Sequence, residues 1–229
     1  MHAVQADPGR ADAVRAVVFD FDGLLMDTES SLFLSWQYEW SQWGLALSEA
    51  GFFADHGGDV SDERYALLAA AAGPRYDREL SHRRRLAYRA KLHEELDLAA
   101  GLRRWLDEAD GLGLRLAVAS SSPRDWLTAH LGRAGVLPRF AVLASGDEVA
   151  RHKPAPDVYQ LALRRLGLGG AAAVAVEDTA HGVDAARAAG MRCIAIPNRY
   201  VPPERVRHAD LVLPSAADLP LAQALDLLG

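Results

Sequence analysis

The chain reads as an α/β protein, a doubly wound parallel sheet interrupted early by an inserted all-helical unit. Three observations predict this. Short runs rich in Val, Ala, Leu and Ile, at 17–19, 114–119, 140–143, 172–176, 193–196 and 211–213, alternate with helical stretches, the rhythm of parallel strands joined by crossover helices. Residues 29–98, between the first and second runs, show helical spacing and no convincing strand. Three of the runs end directly in acidic or hydroxyl residues, where a parallel sheet presents its ligand-binding edge.

The first run is Val17-Val18-Phe19, a buried strand by its β-branched and aromatic content, followed by Asp20, Asp22 and Gly23. Residues two apart in an extended chain face the same side, so Asp20 and Asp22 are expected to enter one pocket. Carboxylates held that close raise a pKa or demand a cation, and an oxygen-only donor set suits Mg²⁺. An acidic, solvated turn is the competing reading of the pair taken alone.

The inserted segment opens with Leu32, Trp36, Trp40 and Trp43 on one helical face, read as a core-packing stripe ended by Gly44. A loop at 56–61 leads to a second helix, 62–72, closed by Gly73-Pro74. A third runs from about 77 to 96, and its Arg83-Arg84-Arg85 cluster reads as a solvent face laced with charge.

Helix 102–109 and strand 114–119 follow, ending in Ser120-Ser121-Ser122, with Pro123 expected at the first helical position of the next helix. Strand 140–143 precedes Lys153-Pro154-Ala155-Pro156-Asp157 and the amphipathic helix 158–166. Strand 172–176 runs into Glu177-Asp178-Thr179, helix 182–189 is capped by Gly190, and 193–196 and 211–213 complete the sheet.

Composition bounds the function. The 229 residues suffice for one large domain or a core with a sizeable insertion, and half are hydrophobic. A net charge of −6 argues against nucleic acid. No run approaches the roughly 18 apolar residues that a membrane helix needs. Residues 1–13 read as a frayed tail, not a targeting peptide. A single cysteine, Cys193, excludes a disulfide framework and a thiolate metal site, and points to a cytoplasmic protein.

Two acids at the first strand end, a serine at the second, two acids at the fourth and a lysine from a nearby loop make a set of groups suited to a phosphoryl group beside a divalent metal. Each has a plain alternative: Ser120 as a helix cap, Lys153 as a surface charge, Glu177 and Asp178 as the acidic start of a helix.

With those strings in order, the chain resembles the haloacid dehalogenase superfamily in its phosphatase and phosphomutase branch. The resemblance is carried by DFDGLLMDTES at 20–30, VASSS at 118–122, KPAPD at 153–157 and VEDTAHGVDAARAAGM at 176–191. It implies a Rossmann-like core at 14–28 plus 99–229 and a helical cap at 29–98. It implies Asp20 as nucleophile, Asp22 as general acid/base, and Ser120, Ser121 and Lys153 as phosphate ligands. Mg²⁺ would be held by Asp20, the Asp22 carbonyl and Asp178, with Glu177 contacting it directly or through water. Leu32, Trp36, His56, Gly58 and Arg64 are the expected substrate contacts from the cap. The implied activity is hydrolysis of a small phosphorylated metabolite by a monomer or weak dimer. A sugar-phosphate mutase is the alternative, disfavoured because Leu32 stands where mutases of this branch carry a histidine. A phospho-accepting signalling module, the non-enzyme alternative, is shorter, lacks a cap and places its acceptor on a later strand.

Overall fold

The computed structural model describes residues 14–49, 52–53 and 61–229. The expectations for residues 1–13, His56 and Gly58 lie outside them. The elements run β1 (Ala16–Phe19), α1 (Thr28–Ser41), α2 (Ser61–Ala72), α3 (Arg78–Glu94), α4 (Leu102–Gly111), β2 (Arg115–Ala119), α5 (Arg124–Arg133), β3 (Phe140–Ala144), α6 (Asp157–Leu166), β4 (Ala173–Glu177), α7 (Ala180–Ala188), β5 (Arg192–Ala195), β6 (Leu211–Val212) and α8 (Leu221–Asp226). The chain divides into two compact units, one built on the segments up to Met26 and from Asp97 onward, the other Asp27–Leu96.

In the first unit the strands form one sheet, ordered β3-β2-β1-β4-β5-β6, and every pairing is parallel. The chain leaves β1 toward β2 and β3, then returns to β4 on the other side. That reversal is the switch point at which open parallel sheets bind ligands. Residues 16–19 and 173–177 are wholly buried, as a strand covered on both faces by helices requires. One face packs Val158, Tyr159, Ala162 and Val183 against Val18, Ala117 and Ala175. The small alanines of β2 and β4 let the crossover helices lie close to the sheet.

Strand and helix positions expected in this unit are present, with small shifts: Pro123 is the N-cap of α5, not its first residue, and α8 carried no clear periodic signal. Glu177 belongs to β4 itself and is fully buried.

Among its described residues the second unit holds three α-helices, and its interior differs from the expected one. Of the Leu32-Trp36-Trp40-Trp43 stripe, Trp36 alone is fully buried, and Trp43 lies beyond the end of α1. The deepest line on α1 is instead Thr28, Ser31, Ser35 and Glu39. Glu39 accepts from the Ser81 hydroxyl at 2.6 Å and from Arg84 through Nε at 2.8 Å and Nη2 at 2.6 Å. Ser31 bonds His93 at 2.8 Å. Arg85, expected at the surface, is 4% exposed: its guanidinium lies 4.3 Å from the Trp36 ring centre and donates to the Tyr65 hydroxyl at 2.8 Å. Paired polar groups can occupy an interior at little net cost, so apolar spacing misplaced this face.

Candidate active site

The site is built where β1, β2 and β4 end. β1 delivers Asp20, whose N–H still donates to the Val176 carbonyl of β4 at 2.9 Å, holding the first acid beside the fourth strand. β4 delivers Glu177 and then Asp178. One carboxylate oxygen each from Asp20, Glu177 and Asp178 lies within 4.8 Å of the others, and all three residues are buried. Lys153, from the loop before α6, reaches into this group with its side chain 8% exposed. Its ammonium bonds Asp20 Oδ1 and, at 2.6 Å, Glu177 Oε1.

Glu177 is the fixed point. Besides Lys153, its Oε1 accepts from the Tyr159 hydroxyl at 2.6 Å, and its Oε2 accepts from the Asp178 N–H at 3.1 Å. Gly182 in the first turn of α7 makes room for it, since a Cβ there would overlap the Glu177 carboxylate. Asp178 Oδ2 accepts from Asn198 Nδ2 at 2.7 Å. Gly23, at φ +80°, sits so close to Asp178 and Asn198 that a side chain would strike both.

Three carboxyl groups against one ammonium crowd more negative than positive charge into a buried site. The proton affinities record that excess. Burial pushes the Asp20 carboxyl up to about 7, even with Lys153 pulling it down. Burial likewise holds Asp178 well above the usual carboxylate range, with Asp20 and Glu177 adding to it. Burial alone would lower the Lys153 ammonium, but Asp20 and Glu177 reverse this and raise it above its ordinary value. A divalent cation fits such an oxygen donor set in charge and in chemistry.

Asp22 takes another direction. The extended chain gives way to a turn at Gly23, so the strict alternation of a strand no longer applies. The Asp22 carboxylate lies outside the three-residue group and accepts from Ser122 Oγ at 2.6 Å, Ser120 Oγ at 3.3 Å and Trp126 Nε1 at 3.1 Å. It remains close enough to help raise the Asp20 pKa. Ser120 is buried, its hydroxyl also accepting from the Ser122 N–H at 3.0 Å, while Ser121 is exposed. The serine loop is pinned from β3's side by Gly146, whose N–H donates to the Ser122 carbonyl at 2.9 Å and whose missing side chain admits the Ser121 carbonyl.

Of the residues expected from the helical unit, Trp36 is packed inside it and Leu32 is half-buried. Arg64 lies 3.7 Å over the Phe52 ring and donates to the Phe52 carbonyl at 2.7 Å. Tyr159, Asn198, Ser122 and Trp126 were not singled out from the sequence. Only Ser122 carried a signal, as the third hydroxyl of the serine run.

Comparison with known proteins settles the family. The model of the haloacid dehalogenase-like hydrolases matches residues 17–196. The chain belongs to that family. YhcW of Bacillus subtilis is 33% identical over 214 residues, covering 93% of this chain and 97% of that protein. A Thermotoga maritima protein named phosphorylated carbohydrates phosphatase is 30% identical over 189 residues, 79% of this chain and 84% of the relative. Among solved structures, CbbY from Rhodobacter sphaeroides in complex with phosphate superimposes with a TM-score of 0.70 at 32% identity, covering 91% of this chain and 98% of that one. The chain is therefore an enzyme of the phosphoric monoester hydrolase type. No described helix is long and apolar enough to cross a membrane.

Proposed function

We propose that this enzyme is a Mg²⁺-dependent phosphatase that removes phosphate from a small phosphorylated sugar through an aspartyl phosphate on Asp20. The observation that carries the reading is the buried meeting of Asp20, Glu177 and Asp178 around Lys153 at the switch point of a parallel sheet. Mg²⁺ held by Asp20 and Asp178 would supply the positive charge that lets a carboxylate approach a phosphate dianion.

The residues divide the work. An Asp20 oxygen attacks phosphorus in line, and the bond from phosphorus to the sugar oxygen breaks. Asp22 gives its proton to that departing oxygen, then takes one from the water that attacks the aspartyl phosphate. This second displacement returns Asp20 as carboxylate and releases inorganic phosphate. Lys153, Ser120 and Ser121 receive the non-bridging oxygens of the phosphoryl group, with the Lys153 charge fixed in place by Glu177 and Tyr159. Glu177, with both oxygens already engaged, acts mainly as the anchor of Lys153.

The relatives support this substrate class. One is named for phosphorylated carbohydrates, and a second structure of CbbY, of a mutant form, holds xylulose-(1,5)bisphosphate. The helical unit is read as the cap that selects the alcohol.

The test is phosphate release from a panel of sugar mono- and bisphosphates, ketopentose bisphosphates included. Activity is expected to vanish with a chelator, to return with Mg²⁺, and to fall more than about 10³-fold in Asp20→Asn. Undiminished turnover in either case overturns the reading. Isomerisation of a hexose 1-phosphate faster than phosphate appears would replace the hydrolase with a mutase.

A further inference from the structure

We propose that Trp126, together with Ser122, is a positioning residue for Asp22. The inference rests on the reading of Asp22 as the group that protonates the departing sugar oxygen. Each oxygen of Asp22 is held from a different element. Trp126 Nε1–H, on the first turn of α5, donates to Oδ1 at 3.1 Å. Ser122 Oγ, in the loop after β2, donates to Oδ2 at 2.6 Å, with Ser120 Oγ a longer second donor at 3.3 Å. A carboxylate bonded at both oxygens cannot turn about its terminal torsion, broad for a free Asp, without losing both bonds. The donors therefore set the plane in which Asp22 gives and takes a proton.

Trp126 is itself built in at its far side. Its ring lies 3.9 Å from the His130 ring, centre to centre, and its carbonyl is 2.9 Å from His130 Nδ1. His130 is buried and meets the Phe21 ring edge-on at 6.1 Å. Phe21 is the residue between the two aspartates, so the turn that carries Asp22 and the helix that carries Trp126 rest on the same imidazole. Leu127 and Leu131, both fully buried, fix α5 beneath them. Trp126 acts through Asp22 and is assigned no contact with substrate.

A residue that works by aiming a proton donor matters in proportion to how much the leaving group needs the proton. A p-nitrophenolate leaves readily as an anion, whereas a sugar alkoxide does not. The experiment measures kcat/KM, which reports the first phosphorus–oxygen cleavage, for a sugar phosphate and for p-nitrophenyl phosphate in wild type, Trp126→Phe, Ser122→Ala and Asp22→Asn. Phe keeps an aromatic ring beside His130 and deletes the N–H together with the rest of the five-membered ring, so Ser122→Ala, which removes one hydroxyl alone, is its control. The ratio of sugar phosphate to aryl phosphate efficiency is expected to fall about tenfold in Trp126→Phe and in Ser122→Ala, and further in Asp22→Asn. A proportional loss on both substrates in the two donor variants, or an unchanged ratio, overturns the inference if Asp22→Asn still shifts the ratio. If Asp22→Asn leaves the ratio unchanged, the reading of Asp22 as proton donor fails first. Should Trp126→Phe not fold, Ser122→Ala decides alone.

Discussion

The two units bury polarity in opposite ways. In the sheet unit the strands are apolar between their ends and ionisable groups gather at one edge, where β1 and β4 end. In the helical unit the polar groups run through the middle: Ser31, Ser35 and Glu39 of α1 meet Ser81, Arg84, Arg85 and His93 of α3. The first pattern collects charge that ordinary folding would reject and leaves it unbalanced, as the proposed site for phosphate and Mg²⁺ needs. The second gives the charges it hides close partners, Arg84 and Ser81 for Glu39 and the Tyr65 hydroxyl and Trp36 ring for Arg85, as an interior needs. Unbalanced burial marks the chemistry, and balanced burial marks the architecture.

The largest effect expected from that contrast is on the helical unit. Glu39→Ala strips the partner from Ser81 and Arg84 and should cost about 3 kcal/mol, less than a fully enclosed pair because Arg84 is partly open to water. Hydrogen exchange should show the lost protection concentrated in residues 28–94, with the strands little changed. Equal loosening of β1 and β4 would erase the distinction between the two units. Next comes Gly182→Ala, which drives a methyl group into the Glu177 carboxylate and so displaces the anchor of Lys153. It should lower stability by about 2 kcal/mol and kcat by at least about tenfold. Loss of stability with unaltered turnover would show that Lys153 does not depend on Glu177.

The smallest effect sharpens the comparison with a balanced pair in the sheet unit itself. Glu148 accepts from Arg165 at 2.7 Å and from the Ser145 hydroxyl at 2.7 Å, and the Ser145 N–H donates to it at 3.2 Å, closing a capping box. The Arg165 bond, with those from Ser145, pulls its pKa down to about 2 against the cost of burial. Because the folded value is depressed, the stabilisation is complete above the unfolded carboxylate value near pH 4.5 and fades as pH falls toward 2. Glu148→Gln should therefore cost about 1 kcal/mol at neutral pH, and the gap from wild type should close on acidification in denaturant melts. A gap that stays constant from neutral pH down to about pH 3 would assign the effect to packing, not charge.

Much of the sheet and the acidic site could be read in advance, and the reason is local. Asp20, Ser120, Lys153 and Asp178 stand immediately after strands or before a helix, so linear order already says which edge they share. Tyr159, Asn198 and Trp126 carry no such mark. Tyr159 faces Glu177 because α6, packed on β2 and β3, carries the hydroxyl to the end of β4, and Asn198 meets Asp178 because the loop after β5 turns back toward Gly23. Both contacts arise only once distant segments pack. Arg85 misled for a related reason: three consecutive arginines look solvated, and nothing in their spacing reveals that Trp36 and Tyr65 receive the third. Asp22 was expected beside Asp20 by strand alternation, but the turn at Gly23 redirected it toward the serine loop.

The Ala99 N–H donates to the Leu25 carbonyl at 2.9 Å, clasping the point where the chain departs from the sheet unit to the point where it comes back. The exit and the return are thus neighbours whatever lies between them, and the entropy of bringing them together grows only slowly with the length inserted. Ancestry could then exchange one set of helices for another, longer or shorter, without renegotiating a single strand pairing. On the proposed reading, the residues that handle phosphorus would be kept whole while the helices read as the cap varied.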